Sequence, residues 1–139
     1  MELVANVLQT VNSNENVLFT DTVVCGNSSI AHRAGSGLIT LRGLTGQCRA
    51  RFKVSFGGNV GIATGGTVGP ISLAISLDGE AVASTTMIVT PAAVEDLTNV
   101  YSSIYIDVPK GCCYTLSVKN TSSQAIIVQN ANLIAERVA

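Results

Sequence analysis

The chain has 139 residues and a formal net charge of −1; 12% of it is charged and 47% hydrophobic. An ordinary soluble domain carries about 25% charged residues, so this thin charged coat implies that other protein covers part of the surface. The balanced charge excludes the basic excess of a nucleic-acid-binding domain, and apolar runs of about five or six residues fall far short of the roughly 20 that span a bilayer.

In chain order, residues 1–16 read as an N-terminal arm or first strand, and residues 17–139 as one domain. Glu2 to Val11 is the one stretch that could be helical, and it could equally be a strand or an arm. Met1-Glu2-Leu3-Val4-Ala5-Asn6 has no basic n-region, so no signal peptide and folding in a cytosol are expected. Val17 to Val24 and Leu38 to Leu41 are strand-like. Ala50, Phe52, Val54 and Phe56 alternate with Arg49, Arg51, Lys53 and Ser55, which predicts a strand with one buried and one basic face. Gly57-Gly58 and Gly65-Gly66 mark loops. Ile71 to Leu77 alternates large and small residues and runs into Asp78-Gly79, a hairpin signal. The return strand covers Glu80 to Thr90, closed by Pro91. Leu97 to Val108 is a further strand, turned by Pro109-Lys110-Gly111. Tyr114, Leu116 and Val118 form the next. Two short strands, about Ala125 to Gln129 and Leu133 to Val138, end the chain.

Short strands with turn signals at intervals of about ten residues predict an all-β protein: a Greek-key jelly-roll sandwich of about eight to ten antiparallel strands. An immunoglobulin-like sandwich is the second choice, but there is no tryptophan for its Cys…Trp…Cys hallmark.

No catalytic set is expected. His32 is the single histidine, and a triad would have to build on it with Ser28 or Ser29, without a G-x-S-x-G elbow. A loop or interface histidine fits better. Gly35-Ser36-Gly37 runs into a strand rather than a helix, so it is a turn and not a phosphate cradle. Glu95-Asp96, Asp78 and Glu80 lack the density of a calcium loop. Cys25, Cys48, Cys112 and Cys113 form no C-x-x-C pair and read as buried or semi-exposed free thiols; disulfides formed after release from the cell, or metal or redox duty, are the alternatives. No cofactor or metal is expected. The sequons at Asn27 and Asn120 read as chance.

The charges are sorted. Five of the eight basic residues, Arg33, Arg42, Arg49, Arg51 and Lys53, fall between positions 33 and 53, and five of the nine acids, Asp78, Glu80, Glu95, Asp96 and Asp107, between 78 and 107. The basic stripe reads either as a solvated face or as a surface that meets an acidic partner. The charge-poor strands around 70–77, 84–94 and 111–135 are where a subunit interface is expected.

Gly111-Cys112-Cys113-Tyr114-Thr115-Leu116-Ser117-Val118-Lys119-Asn120, the strand Ala125-Ile126-Ile127-Val128, and a last strand ending near Ala139 resemble the tumour-necrosis-factor-like jelly rolls of bacteria and their phages. That superfamily includes complement-type globular heads and the exosporium glycoprotein head of spores. Gly65 to Ile75 with Asp78-Gly79-Glu80 is similar to small proteins of this kind in gut Firmicutes and their prophages, associated with virion head or decoration roles. The resemblance implies a compact homotrimer without an active site, with a capsid or other virion protein as partner. The expected function is therefore non-enzymatic capsid decoration of a phage or prophage-derived particle, on a virion made in a bacterial cytoplasm, with no nucleic-acid or membrane partner. The alternative is a receptor- or glycan-binding head of a phage fibre or spore surface; a cupin-like enzyme is disfavoured because one histidine cannot supply a cupin's metal site.

Overall fold

The computed structural model of the chain describes residues 1–26, 28–43, 48–111 and 113–139. Two six-stranded antiparallel sheets face each other. The front sheet has the order β10 (Thr98–Pro109), β6 (Arg49–Ile62), β12 (Ile126–Arg137), β1 (Glu2–Ala5) and β3 (Asp21–Val24), with β2 (Gln9–Val11) also paired to β12. The back sheet has the order β4 (Ile30–His32), β5 (Ile39–Arg42), β11 (Cys113–Asn120), β7 (Ile71–Leu77) and β8 (Glu80–Ala81), with β9 (Met87–Val89) on β7.

The alternation seen around Phe52 decides which side of the front sheet is dry. Ala50, Phe52, Val54, Phe56, Val60 and Ile62 of β6 are all buried. On β10 their antiparallel partners are Val108, Ile106 and Ile104, and on β12 Ala135, Leu133, Val128 and Ile126. Ile39, Leu41, Leu73, Ile75, Leu116 and Val118 of the back sheet fill the other half of the core. Phe19 meets Phe56 edge to face, ring centres 6.3 Å apart, between the sheets.

Several local expectations change. Glu2 to Val11 is two strands, because β12 offers its edge to both Glu2–Ala5 and Gln9–Val11. Residues 17–20 are irregular, and only Asp21–Val24 is strand. Gly57-Gly58 is not a loop; it lies inside β6. A Cβ on Gly58 would stand 3.4 Å from the Ala131 backbone, and Gly57 lies under the ring of Tyr101. Both glycines allow close approach on a paired strand. The return strand after Asp78-Gly79 is broken: a 3-10 turn at Ala83–Thr85 separates β8 from β9, and Thr85 Oγ1 donates to Val82 O at 2.7 Å while accepting from Ile75 N at 3.0 Å. The last two short strands are one strand, bent by a register shift between Gln129 and Asn132 where Asn130 takes φ 57°. Asparagine tolerates that left-handed conformation. The Asp78-Gly79 turn is as expected, with φ of 50° and 85°.

Asn120 ties the N-terminal strands to this frame. Its buried amide donates to Val11 O and Gln124 O, both at 3.0 Å, and its Oδ1 accepts from Ser122 N at 2.9 Å. A buried side chain so engaged cannot carry a glycan. Asn27 of the other sequon lies outside the described residues. Asn120→Ala removes the side-chain partner of two buried backbone groups, Val11 O and Ser122 N, and of the part-buried Gln124 O; a buried group left unpaired costs about 1–3 kcal/mol. A loss of roughly 2–4 kcal/mol of unfolding free energy is expected in denaturant titration, against a change within about 0.5 kcal/mol for the exposed Asn99→Ala.

Candidate binding face

The outer surface of the front sheet is graded along the strands. At one end Arg49 and Arg51 of β6 stand beside Asp107 of β10. Arg51 Nε and Nη2 donate to the two Asp107 oxygens at 2.8 and 3.1 Å, and Arg49 Nε lies 3.9 Å from the same carboxylate. The Arg51 hydrogen bond holds the Asp107 carboxyl below its ordinary pKa, and Asp107 raises that of Arg51 in return. Lys53 follows on β6, flanked in register by Tyr105 and Glu136.

The middle of the face is hydroxyl and aromatic. Ser55 and Ser103 hydroxyls meet at 3.1 Å. Both hydroxyls favour the ionised Tyr101 phenol, Ser55 first, and lower its pKa, with Lys53 adding to the effect. Tyr101 and Tyr105 are 65% and 63% exposed, although they are among only six aromatic residues (three Tyr and three Phe), and all three Phe are buried. A hollow of about 300 Å³ opens between Lys53, Gly57, Tyr101, Asn132, Ile134 and Glu136. Next comes an amide ladder: Asn99 Nδ2 donates to Asn59 Oδ1, and Asn59 Nδ2 to Asn130 Oδ1, each at 3.3 Å. The far end is apolar, with Leu97 and Leu8 exposed around Ile127.

The structure divides the basic stripe. Arg49, Arg51 and Lys53 share this face. Arg42 is on β5 and Arg33 just beyond β4, both in the back sheet; Arg42 Nη1 donates to Ser28 O at 3.0 Å. Strand order causes the split, because β5 and β6 are consecutive in sequence but belong to different sheets. Arg51 and Arg49 both stand against Asp107, and Lys53 is in register with Glu136, so acids of the same chain are interleaved with the cations of this face. The tyrosines were legible as a period of four on a predicted strand. That they lie on the uncovered side was not, because it depends on which face of β10 the back sheet takes.

Other candidates find structural places. His32 Nε2 bonds Ser36 O at 2.8 Å and its ring meets Phe19 edge-on at 6.5 Å. With that nitrogen donating to a carbonyl, Nδ1 is buried without a partner. Cys25, Cys48 and Cys113 are free and exposed rather than buried; Cys112 lies outside the described residues. Among the described residues no three His, Cys, Asp or Glu side chains converge. The charge-poor strands 70–77 and 111–135 bury Ile71, Leu73, Ile75, Leu116, Val118, Ile126 and Val128 in the chain's own core.

No protein-family model matches the chain, and no curated protein matches it. Solved structures do. The globular domain of zebrafish complement 1qA protein superposes with a TM-score of 0.56 at 11% identity, over 96% of this chain and 93% of that one. The fold is a jelly roll of the complement-head and tumour-necrosis-factor-like kind. The C-terminal domain of EclA, a sugar-binding protein, gives a TM-score of 0.43 at 12% identity over 95% of this chain and 79% of that one. The CBM35 from Cellvibrio japonicus Abf62 gives 0.40 at 8% identity over 100% and 98%. Likeness at such identities concerns fold alone, and the last two superpose too loosely to add to it.

The depressed Asp107 carboxyl has a direct test. Carboxyl-carbon NMR across an acid titration is expected to place its midpoint below the ordinary aspartate range, and Arg51→Met to return it there. The contribution of the pair to stability is present above the unfolded-state pKa and disappears as pH falls through the folded value.

Proposed function

We propose that the chain is a non-enzymatic structural protein that assembles as a homotrimer through the middle of the outer face of its front sheet, around Tyr101 and Tyr105, and decorates a larger particle, in the first instance the capsid of a phage or prophage-derived particle made in a bacterial cytoplasm. The observation that carries this reading is the uncovered middle of that face. Two tyrosines and Ile134 stand open to solvent beside an Arg51–Asp107 pair formed within the chain. Aromatic and arginine side chains with few unpaired charges are the composition of protein interfaces.

A second surface supports a closed ring. β10 is the free edge of the front sheet, and its inward-facing Val100 and Ile104 are only half-buried. A face and an edge are different surfaces, so contact between them is head to tail, a geometry that closes into a ring when the rotation allows. The threefold order itself follows from the resemblance in sequence to trimeric jelly rolls. The particle partner rests on the same resemblance.

Light scattering on the purified chain is expected to give three times the 14.3 kDa chain mass. Tyr101→Glu together with Tyr105→Glu is expected to give a folded monomer. A wild-type monomer at micromolar concentration would end the trimer reading. Co-sedimentation with capsids that lack their own decoration protein tests the particle, and failure to pellet would remove that partner while leaving the trimer standing.

A further inference from the structure

We infer that the hollow at the apolar end of the front sheet is a socket for an aliphatic primary ammonium group, of the kind carried by a lysine side chain. The hollow shares the outer face of the front sheet with the proposed trimer contact, but that contact is placed on the middle of the face around Tyr101 and Tyr105, and the hollow lies at the apolar end. The hollow measures about 600 Å³ and lies at the opposite end of β6 from Arg51. Leu8, Leu97, Ala63, Ala125 and Ile127 give it apolar walls and floor, while Thr10, Asn12, Thr64 and Gln129 offer neutral oxygens. The one charged group in its lining is the Glu95 carboxylate.

That carboxylate is held in place by its surroundings. Glu95 has φ 72°, a conformation uncommon for a residue with a side chain. Three features hold it there. Its N–H donates to Ile62 O at 3.0 Å, Thr64 Oγ1 donates to its Oε1, and the carbonyl of Asp96 closes over Gly61, where a Cβ would come within 2.4 Å. The second carboxylate oxygen has no partner among the described residues, and neither do the side chains of Thr10, Asn12 and Gln129.

The chemistry selects the occupant. A carboxylate with no cation in its lining rejects phosphates and carboxylates and attracts a positive group. The apolar walls favour a hydrocarbon stem over a strongly hydrated ion. The surrounding amide and hydroxyl oxygens can accept the remaining ammonium protons. A neutral sugar would meet hydrogen-bonding groups here, but nothing in that match requires a charge, and the lining has no aromatic ring for it to stack on.

The test is amide NMR on the full-length protein, titrated with Nα-acetyl-lysine N-methylamide, with 1,5-diaminopentane, and with 1-pentanol and methyl α-glucoside as neutral probes. Both amines are expected to shift residues 62–64, 95–97 and 127–129, and the neutral probes to leave them unmoved. Tighter binding of the lysine derivative points to a protein lysine, and tighter binding of the diamine to a free polyamine; either supports the socket. Glu95→Gln is expected to weaken amine binding more than about tenfold, as loss of a charge-assisted hydrogen bond does. Leu97→Ser, at an exposed position, is expected to weaken it several-fold and gives a second readout should Glu95→Gln fail to fold. No shift with either amine, or equal binding by Glu95→Gln, overturns the inference. A glucoside that shifts the same residues in wild type and in Glu95→Gln alike replaces it with a sugar site. The chain mass is unaffected by any of these outcomes, so the assembly reading stands or falls separately.

Discussion

Everything in this molecule hangs on the pairing of β6 with a long strand on each side. β6 is 14 residues long, and β10 and β12 run antiparallel along most of it. A strand side chain points to one face or the other with a period of two, so a slip of one residue would turn Phe52, Val54 and Phe56 out to water and bring Arg51 and Lys53 in. Burying one large apolar side chain contributes about 1.5–3 kcal/mol, and burying an unpaired cation costs far more. The register is therefore decided by both faces at once, and the opposite faces of β10 and β12 follow from it.

Once that register is set, the outer face has its character without further choice. Asp107 lands opposite Arg51, Glu136 opposite Lys53, and Tyr101 opposite Gly57. The acids that lie far from the basic run in sequence become its partners in space. The same ladder lines up Asn99, Asn59 and Asn130. The result is a face that interleaves acids with cations, with Arg51 paired to Asp107, and whose aromatic rings are not covered by the chain. The low charge of the sequence is thus partly a property of a two-sheet core and partly of this face.

The back sheet does different work. Its apolar side chains complete the core, and its basic residues, Arg33 and Arg42, lie far in the topology from those of β6 although they are near in sequence. Loops make the remaining chemistry. The segment at 93–97 crosses Gly61 and sets Glu95 beside Thr64, so one of a pair of acids that looked like ordinary loop charges joins the lining of a hollow.

The strands around Phe52, Leu73, Ile104 and Leu116 were legible because alternation is a local property, read within a few residues. The Asp78-Gly79 turn was legible for the same reason: its backbone needs positive φ, and those two residues supply it. Gly57-Gly58 misled because a glycine pair has the same local meaning in a loop and under a neighbouring ring. The end of the chain misled because a bulge at Asn130 interrupts the period without ending the strand. Alternation, turn chemistry and composition by themselves determined an antiparallel β-sandwich. Only the tertiary structure decided that Arg49, Arg51 and Lys53 part company with Arg33 and Arg42, that Tyr101 and Tyr105 face water, and that Glu95 looks into a hollow. The reason is physical: which strands become neighbours depends on contacts between residues tens of positions apart, and no local pattern encodes them.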